Sequence, residues 1–157
     1  MAPDLTDMTY SNLRYDGWKQ AENTITFTGS VSGSAGDKDG TGNPFNIFSV
    51  TGDVIAKVIG VCTTTLSGAS AVLAVGVSNS VSGIIAQTTA TNIAASEIWH
   101  DATPDSGVEL SSVMAERIIA NGLNIAGNVA TADIVSGAIR FICLWKPLSD
   151  DGDVVAA

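Results

Sequence analysis

The sequence predicts an all-β protein: an antiparallel β-sandwich, jelly-roll-like, with an extended N-terminal arm. Short segments rich in Val, Ile and Thr recur along the chain, and these side chains fit a pleated sheet. Gly, Asn, Ser, Asp and Pro separate the segments every 8 to 15 residues, as in sandwiches and barrels. With 157 residues, of which 45% are hydrophobic, the chain is large enough to bury one core.

The first 44 residues differ from the rest and predict a flexible arm. Residues 1–20 are polar with a few aromatic side chains, and 24–28 form a short β-like piece. Residues 29–44 are rich in glycine and serine, a composition typical of loops. We therefore expect an arm over 1–44 and a β-sandwich domain over 45–157.

Eight strands are predicted within the domain, each ended by a turn signal. Their ranges are 45–50, 54–65, 69–77, 82–89, 97–101, 113–120, 123–130 and 137–146. The Asn121-Gly122 dipeptide predicts a tight hairpin, because both turn residues tolerate positive φ. One alternative stays open: residues 111–120 also fit an amphipathic helix that ends at Asn-Gly.

Two of the predicted strands are apolar on both faces. In 54–62 the second face consists of aliphatic residues with one cation, Lys57, and in 137–146 it carries Arg140 and Lys146 among aliphatic residues. An antiparallel sheet that faces water has a polar outer face. We therefore expect another subunit to cover this second face, and a homo-oligomer follows. Cover by the N-terminal arm is the alternative.

Charge and composition exclude several partners. Sixteen acidic and seven basic residues give a net charge of −9, which opposes binding to the phosphates of nucleic acids or to an anionic membrane surface. The apolar runs are too short to span a membrane, and no signal peptide is expected from the first residues. Cys62 and Cys143 lie in apolar strands and are predicted to be reduced and buried.

No catalytic motif occurs, so we expect neither an enzyme nor a cofactor. His100 is the single histidine, and we interpret it as structural or interfacial, with a hydrolase centred on it as a remote alternative. A metal site of His100 with Glu97 and Asp101 would be short of ligands, so we expect no metal at His100. Residues 37–43 begin like a calcium loop, but Phe48 stands where a bidentate Glu is needed. Asp37, Asp39 and Asn43 are thus weak metal candidates.

Candidate interface residues come from exposed aromatics and from the second apolar face. They are Tyr15, Trp18, Trp99, Ile142 and Leu144; for Trp99, a position at the edge of the core is an equal alternative. An aromatic side chain on a polar arm is a plausible docking anchor, because buried aromatics dominate many interfaces.

Three segments, 45–58, 97–105 and 141–149, resemble small virion proteins of tailed bacteriophages. The resemblance covers about 45–157. It implies a head decoration (cementing) protein that binds the major capsid protein on the capsid surface, as a β-rich homotrimer made in the host cytoplasm. It implies no active-site residues. The alternative from the same class is a tail or fibre component that binds a host glycan.

Overall fold

The chain folds as an antiparallel β-sandwich of two five-stranded sheets, which confirms the predicted fold class. The structure is a computed structural model that describes residues 17–157. The strands are Lys19–Thr26 (β1), Phe45–Thr51 (β2), Val54–Ser67 (β3), Val72–Val77 (β4), Ser80–Thr89 (β5), Ile98–Trp99 (β6), Arg117–Ile119 (β7), Ile125–Ala130 (β8), Ser136–Pro147 (β9) and Asp153–Ala156 (β10). Two 3-10 turns occupy Ala90–Asn92 and Ser111–Val113.

One sheet, sheet A, has the order β1-β9-β3-β6, and β7 also pairs with β3; the other, sheet B, has the order β10-β2-β8-β4-β5. The pairing of β3 with β9 is the longest in the molecule and runs from Val54–Pro147 to Ser67–Ser136. Over 54–62 of β3 and 139–146 of β9, side chains alternate between buried and half-buried, as expected where one face lies on the core.

The core lies between the sheets and is built from their inward-facing side chains. Phe27 packs edge-on against Phe45, with ring centroids 5.5 Å apart. Trp99 packs edge-on against Phe141 at 6.3 Å. Such edge-to-face pairs are the preferred arrangement of aromatic rings. Trp145 is buried as well, so the last long strand carries an aromatic core face.

Two short strands share the second edge of β3. Trp99 of β6 pairs with Gly60, and Arg117 of β7 pairs with Ala56. The chain leaves the sheet between them, over residues 100–116. For residues 111–120, the strand prediction holds for 117–119, whereas 111–113 form a 3-10 turn.

The Asn121-Gly122 turn has the predicted backbone conformation, but the two strands that flank it do not pair with each other as a hairpin would require. Asn121 and Gly122 have φ of 58° and 65°, as a tight turn requires. The flanking strands nevertheless belong to different sheets, because β7 pairs with β3 and β8 pairs with β2 and β4. The turn is held instead by Gly122 N–H donating to Gly52 O at 2.9 Å. The hairpin prediction is therefore wrong, and the turn connects the sheets.

Much of the predicted arm belongs to the sandwich. Residues 19–26 form β1, which pairs with β9 along its whole length. The glycine-rich segment that follows is fastened to the domain: Gly29 N–H donates to Ile134 O, and Ile134 N–H donates to Gly36 O, both at 2.9 Å. The boundary predicted at residue 44 therefore does not hold for 19–44, because strand pairing, backbone hydrogen bonds and the buried Phe27 fasten this segment to the domain. Residues 1–16 of the arm lie outside the described residues.

Both cysteines are free and buried, which confirms the prediction for them. Burial raises the pKa of the Cys143 thiol to about 12. Burial also raises the pKa of Cys62, whose sulfur lies 3.2 Å from Thr64 O. Within residues 17–157, no helix has the length and apolarity needed to cross a membrane.

The amide of Asn43 should fasten the glycine-rich loop. Its Nδ2 donates to Lys38 O and Val129 O at 2.7 and 2.8 Å, and its Oδ1 accepts from Val129 N at 2.9 Å. Asn43→Ala leaves those partly buried groups unpaired, so we expect a loss of about 1–3 kcal/mol in the free energy of unfolding. Urea denaturation measures it. The exposed Asn92 should tolerate the same change within about 0.5 kcal/mol, and equal losses for the two variants would contradict the fastening.

The thiols should be unreactive in the folded protein. With a pKa of about 12 for Cys143, roughly one thiol in ten thousand is ionised at about pH 8, and only the thiolate attacks a disulfide reagent. We expect negligible reaction with Ellman's reagent in native buffer and two equivalents in guanidinium chloride. Rapid release of one equivalent from native protein would show that a cysteine is accessible.

Candidate functional site

The outward surface of sheet A has an aliphatic centre; we name this surface outer face A. It is formed on β3 and β9 by five half-buried aliphatic residues: Ile55, Ile59, Val61, Ile142 and Leu144. The ladder places Ile59 directly opposite Ile142 and Lys57 opposite Leu144. Paired residues of an antiparallel ladder lie on one face with their Cβ atoms about 5 Å apart. Val61 and Leu144 follow on the same face, so these two side chains lie next to the Ile59–Ile142 pair, while Ile55 pairs with Lys146 and is separated from Ile59 along β3 by Lys57.

The two short strands on the β3 edge extend this aliphatic centre, whereas β1 on the β9 edge presents Gln20, Glu22 and Thr24 to the same face. Ile118 of β7 lies opposite Ile55, and its side chain is 74% exposed. At the other end, Ile98 of β6 lies opposite Val61. Exposed aliphatic residues are common singly on protein surfaces, whereas a contiguous patch marks an interaction surface.

Charged side chains of both signs surround the aliphatic centre. Lys57 Nζ lies 3.5 Å from Glu116 Oε1, and Arg140 Nε lies 3.9 Å from Glu22 Oε1. Pairs of this exposure contribute little to folding stability. They leave outer face A electrically mixed rather than strongly cationic or anionic.

Trp18 lies at the margin of outer face A, between two lysines. The Lys57 ammonium is 4.7 Å and the Lys146 ammonium 4.8 Å from its ring. These are cation–π distances. The residue predicted as a docking anchor on the arm therefore contacts the sheet of its own chain. Tyr15, the other predicted anchor on the arm, lies outside the described residues.

The structure separates the remaining interface candidates. Ile142 and Leu144 lie on outer face A, where the alternation of β9 predicted them. Trp99 does not line an interface: it is 0% exposed and packs in the core against Phe141. Strand β6 has only two residues, and the sequence around Trp99 gives no clear alternation by which to assign its face.

The weak metal candidates bind the backbone of their own loop. Asp37 accepts from Gly33 N at 2.9 Å and from Asp39 N at 3.1 Å, and the bond from Gly33 is the main cause of its lowered pKa. Asp39 is paired with Lys38, and Asn43 Oδ1 accepts from Val129 N. The three side chains hold the loop rather than converge on one point.

Around His100 the structure gathers a different set from the one considered in the sequence. Glu97 turns away and accepts from Ala94 N at 2.7 Å. Asp105 approaches instead: its Oδ2 is 2.9 Å from His100 Nε2, while Asp101 Oδ2 is 3.8 Å from Nδ1. In the described part of the chain, no serine hydroxyl hydrogen-bonds to His100.

Sequence reasoning missed Asp105 because a bridge across the loop brings it there. Ile98 and Asp105 exchange two backbone hydrogen bonds of 2.9 Å. The only signal was the Thr103-Pro104 turn between the two acidic residues Asp101 and Asp105, which indicates a chain reversal but not its register.

A groove of about 450 Å³ lies beside the outward surface of sheet B. Among its lining residues are the amides Asn46, Asn124 and Asn128, and no lining residue is charged. Asn124 Oδ1 accepts from Val50 N at 3.0 Å, which leaves its amino group as a donor. The volume is in the range of small-ligand sites.

Comparison of the chain with protein-family models, curated proteins and solved structures gave no match. The surfaces described above are therefore the basis on which function is inferred.

Proposed function

We propose that the protein is a structural subunit that associates with its own copies through outer face A and decorates the capsid of a tailed bacteriophage. The observation that carries the self-association is the contiguous aliphatic centre around Ile59 and Ile142 on the two longest strands. The particle itself, the major capsid protein as partner and the trimeric state rest on the sequence resemblance of 45–58, 97–105 and 141–149 to phage virion proteins.

The position of the aliphatic residues supports association rather than chance exposure. They lie on β3 and β9, whose ladder is flanked on one side by β1 and on the other by β6 and β7. An outward face in this position is normally polar. Burial against a partner removes its apolar surface from water at about 25 cal/mol per Å². A stable interface of this kind needs roughly 800 Å² from each partner.

The charged margin supports a specific rather than an indiscriminate contact. Lys57 and Arg140 each have an acidic neighbour, Glu116 and Glu22. These groups can exchange partners with the same groups of a second copy, and such complementarity sets orientation more than affinity. A net charge of −9 favours neutral or cationic surfaces as partners on the particle.

Charge placed at the aliphatic centre should separate the subunits. Ile142→Glu puts a carboxylate beside Ile59, where association would have to desolvate it. We expect wild-type protein to sediment as an oligomer, with a trimer favoured, and Ile142→Glu to sediment at the 16.0 kDa of one chain.

Val155→Glu is the matched control, because Val155 is 51% exposed on β10 of sheet B. It should keep the wild-type mass. A wild-type monomer at tens of micromolar would contradict self-association.

Removal of residues 1–16 tests whether the N-terminal segment covers outer face A instead of a second copy. If that segment covers the face, the truncated protein should form an assembly with more subunits than the wild type. If a second copy covers the face, the number of subunits should stay the same.

Capsid binding tests the second half of the proposal separately. Capsids assembled without this protein should sediment with it at a fixed ratio per lattice position. If the protein self-associates but binds no such capsid, the decoration role is contradicted and association through outer face A is not.

The groove beside sheet B favours one other function, recognition of a host glycan by a tail or fibre component. Uncharged amides flanked by small apolar side chains match the hydroxyl groups and C–H surfaces of a neutral saccharide. If this holds, immobilised neutral oligosaccharides should retain the protein, and Ala126→Trp, which fills the groove, should abolish retention. Equal retention of Ala126→Trp and wild type would show that the groove is not the saccharide-binding site.

A further inference from the structure

A second site, independent of outer face A, lies in the loop that leaves β6. Its centre is the His100 side chain, which is 10% exposed. One ligand atom from each of His100, Asp101 and Asp105 lies within 4.8 Å of the other two. Elsewhere in residues 17–157, no three His, Cys, Asp or Glu side chains are grouped in this way.

We propose that His100, Asp101 and Asp105 bind a divalent first-row transition-metal ion of the Zn²⁺ type. One imidazole nitrogen with carboxylate oxygens is a donor set found in protein sites for these ions. Water would complete the coordination on the open side of the loop, where Asp101 is 58% exposed.

Two adjustments would bring these three side chains around one ion. Bonds of 2.0–2.2 Å to zinc require ligand atoms roughly 3.0–3.5 Å apart. His100 Nε2 and Asp105 Oδ2 are 2.9 Å apart and would separate by a few tenths of an ångström to share such an ion. Asp105 is held there through the two backbone hydrogen bonds with Ile98. Asp101 Oδ2, which lies 3.8 Å from Nδ1, would reach the same ion by rotation of its exposed side chain.

The arrangement of the two carboxylates favours a cation. Neutral imidazole has one N–H, so it can donate to only one of two flanking carboxylates. The second carboxylate then faces a nitrogen lone pair, and the two negative groups repel each other. A metal ion bound to the lone-pair nitrogen and to both carboxylate groups removes this conflict. Sequence reasoning considered Glu97, and not Asp105, as a neighbour of His100, so it did not predict this set of three residues.

Isothermal titration of the full chain with ZnCl₂ tests the site. The protein is first stripped with a chelator and dialysed, and the titration is repeated with MnCl₂. We expect one Zn²⁺ per chain, and affinity at least about 10-fold weaker in His100→Gln and in Asp105→Asn. Asp150→Asn removes the same charge from an exposed residue of the β9–β10 turn and should bind like wild type.

A thermal melt of each variant accompanies the titration. Zn²⁺ should raise the Tm of wild type and of Asp150→Asn, and not that of His100→Gln. If His100→Gln fails to fold, Asp101→Asn replaces it, because that side chain is exposed and its loss should still weaken binding. Absence of saturable binding, or equal affinity in wild type and Asp105→Asn, would overturn the site. Neither result would bear on association through outer face A.

Discussion

The ladder between β3 and β9 is the interaction on which the rest of the molecule depends. It joins residues 54–67 to residues 136–147 across about 80 positions of the sequence. Because side chains alternate along a strand, this one pairing fixes two surfaces together. One surface is the aromatic core face with Phe141 and Trp145, and the other is outer face A with Ile142 and Leu144. A slip by one residue would exchange them.

The neighbouring elements are arranged around that ladder. Strand β1 adds to the free edge of β9, which makes the polar N-terminal segment part of the sandwich. Strands β6 and β7 share the edge of β3, and the chain between them leaves the sheet. That excursion carries the His100 loop, while Ile118 of β7 enlarges outer face A. Both proposed sites thus follow from how the edges of one long pairing are covered.

Local patterns predicted what depends on local physics. Alternation in 137–146 placed Ile142 and Leu144 on the outward face, and apolar neighbours predicted that Cys62 and Cys143 are buried. The all-β class followed from short β-branched segments between turn residues. Each of these inferences needs only the period of a strand and the preferences of a turn.

What the sequence did not predict depends on distant partners. Asn121-Gly122 sets the backbone of a turn, but its flanking strands do not pair with each other, because β7 pairs with β3 and β8 pairs with β2 and β4. The glycine-rich segment is ordered through hydrogen bonds to Ile134 and through Asn43, which no apolar pattern reveals. Asp105 reaches His100 only because of a bridge to Ile98. Such contacts carry no periodic signal.

The central claim is that a second copy covers outer face A, and hydroxyl-radical footprinting across a dilution series measures this directly. Oxidation of Trp18 and Leu144 should fall as protein concentration rises from below micromolar to tens of micromolar. Oxidation of Val155, which is 51% exposed on β10 of sheet B, should stay constant. Equal oxidation of Trp18 and Leu144 at every concentration would contradict the claim.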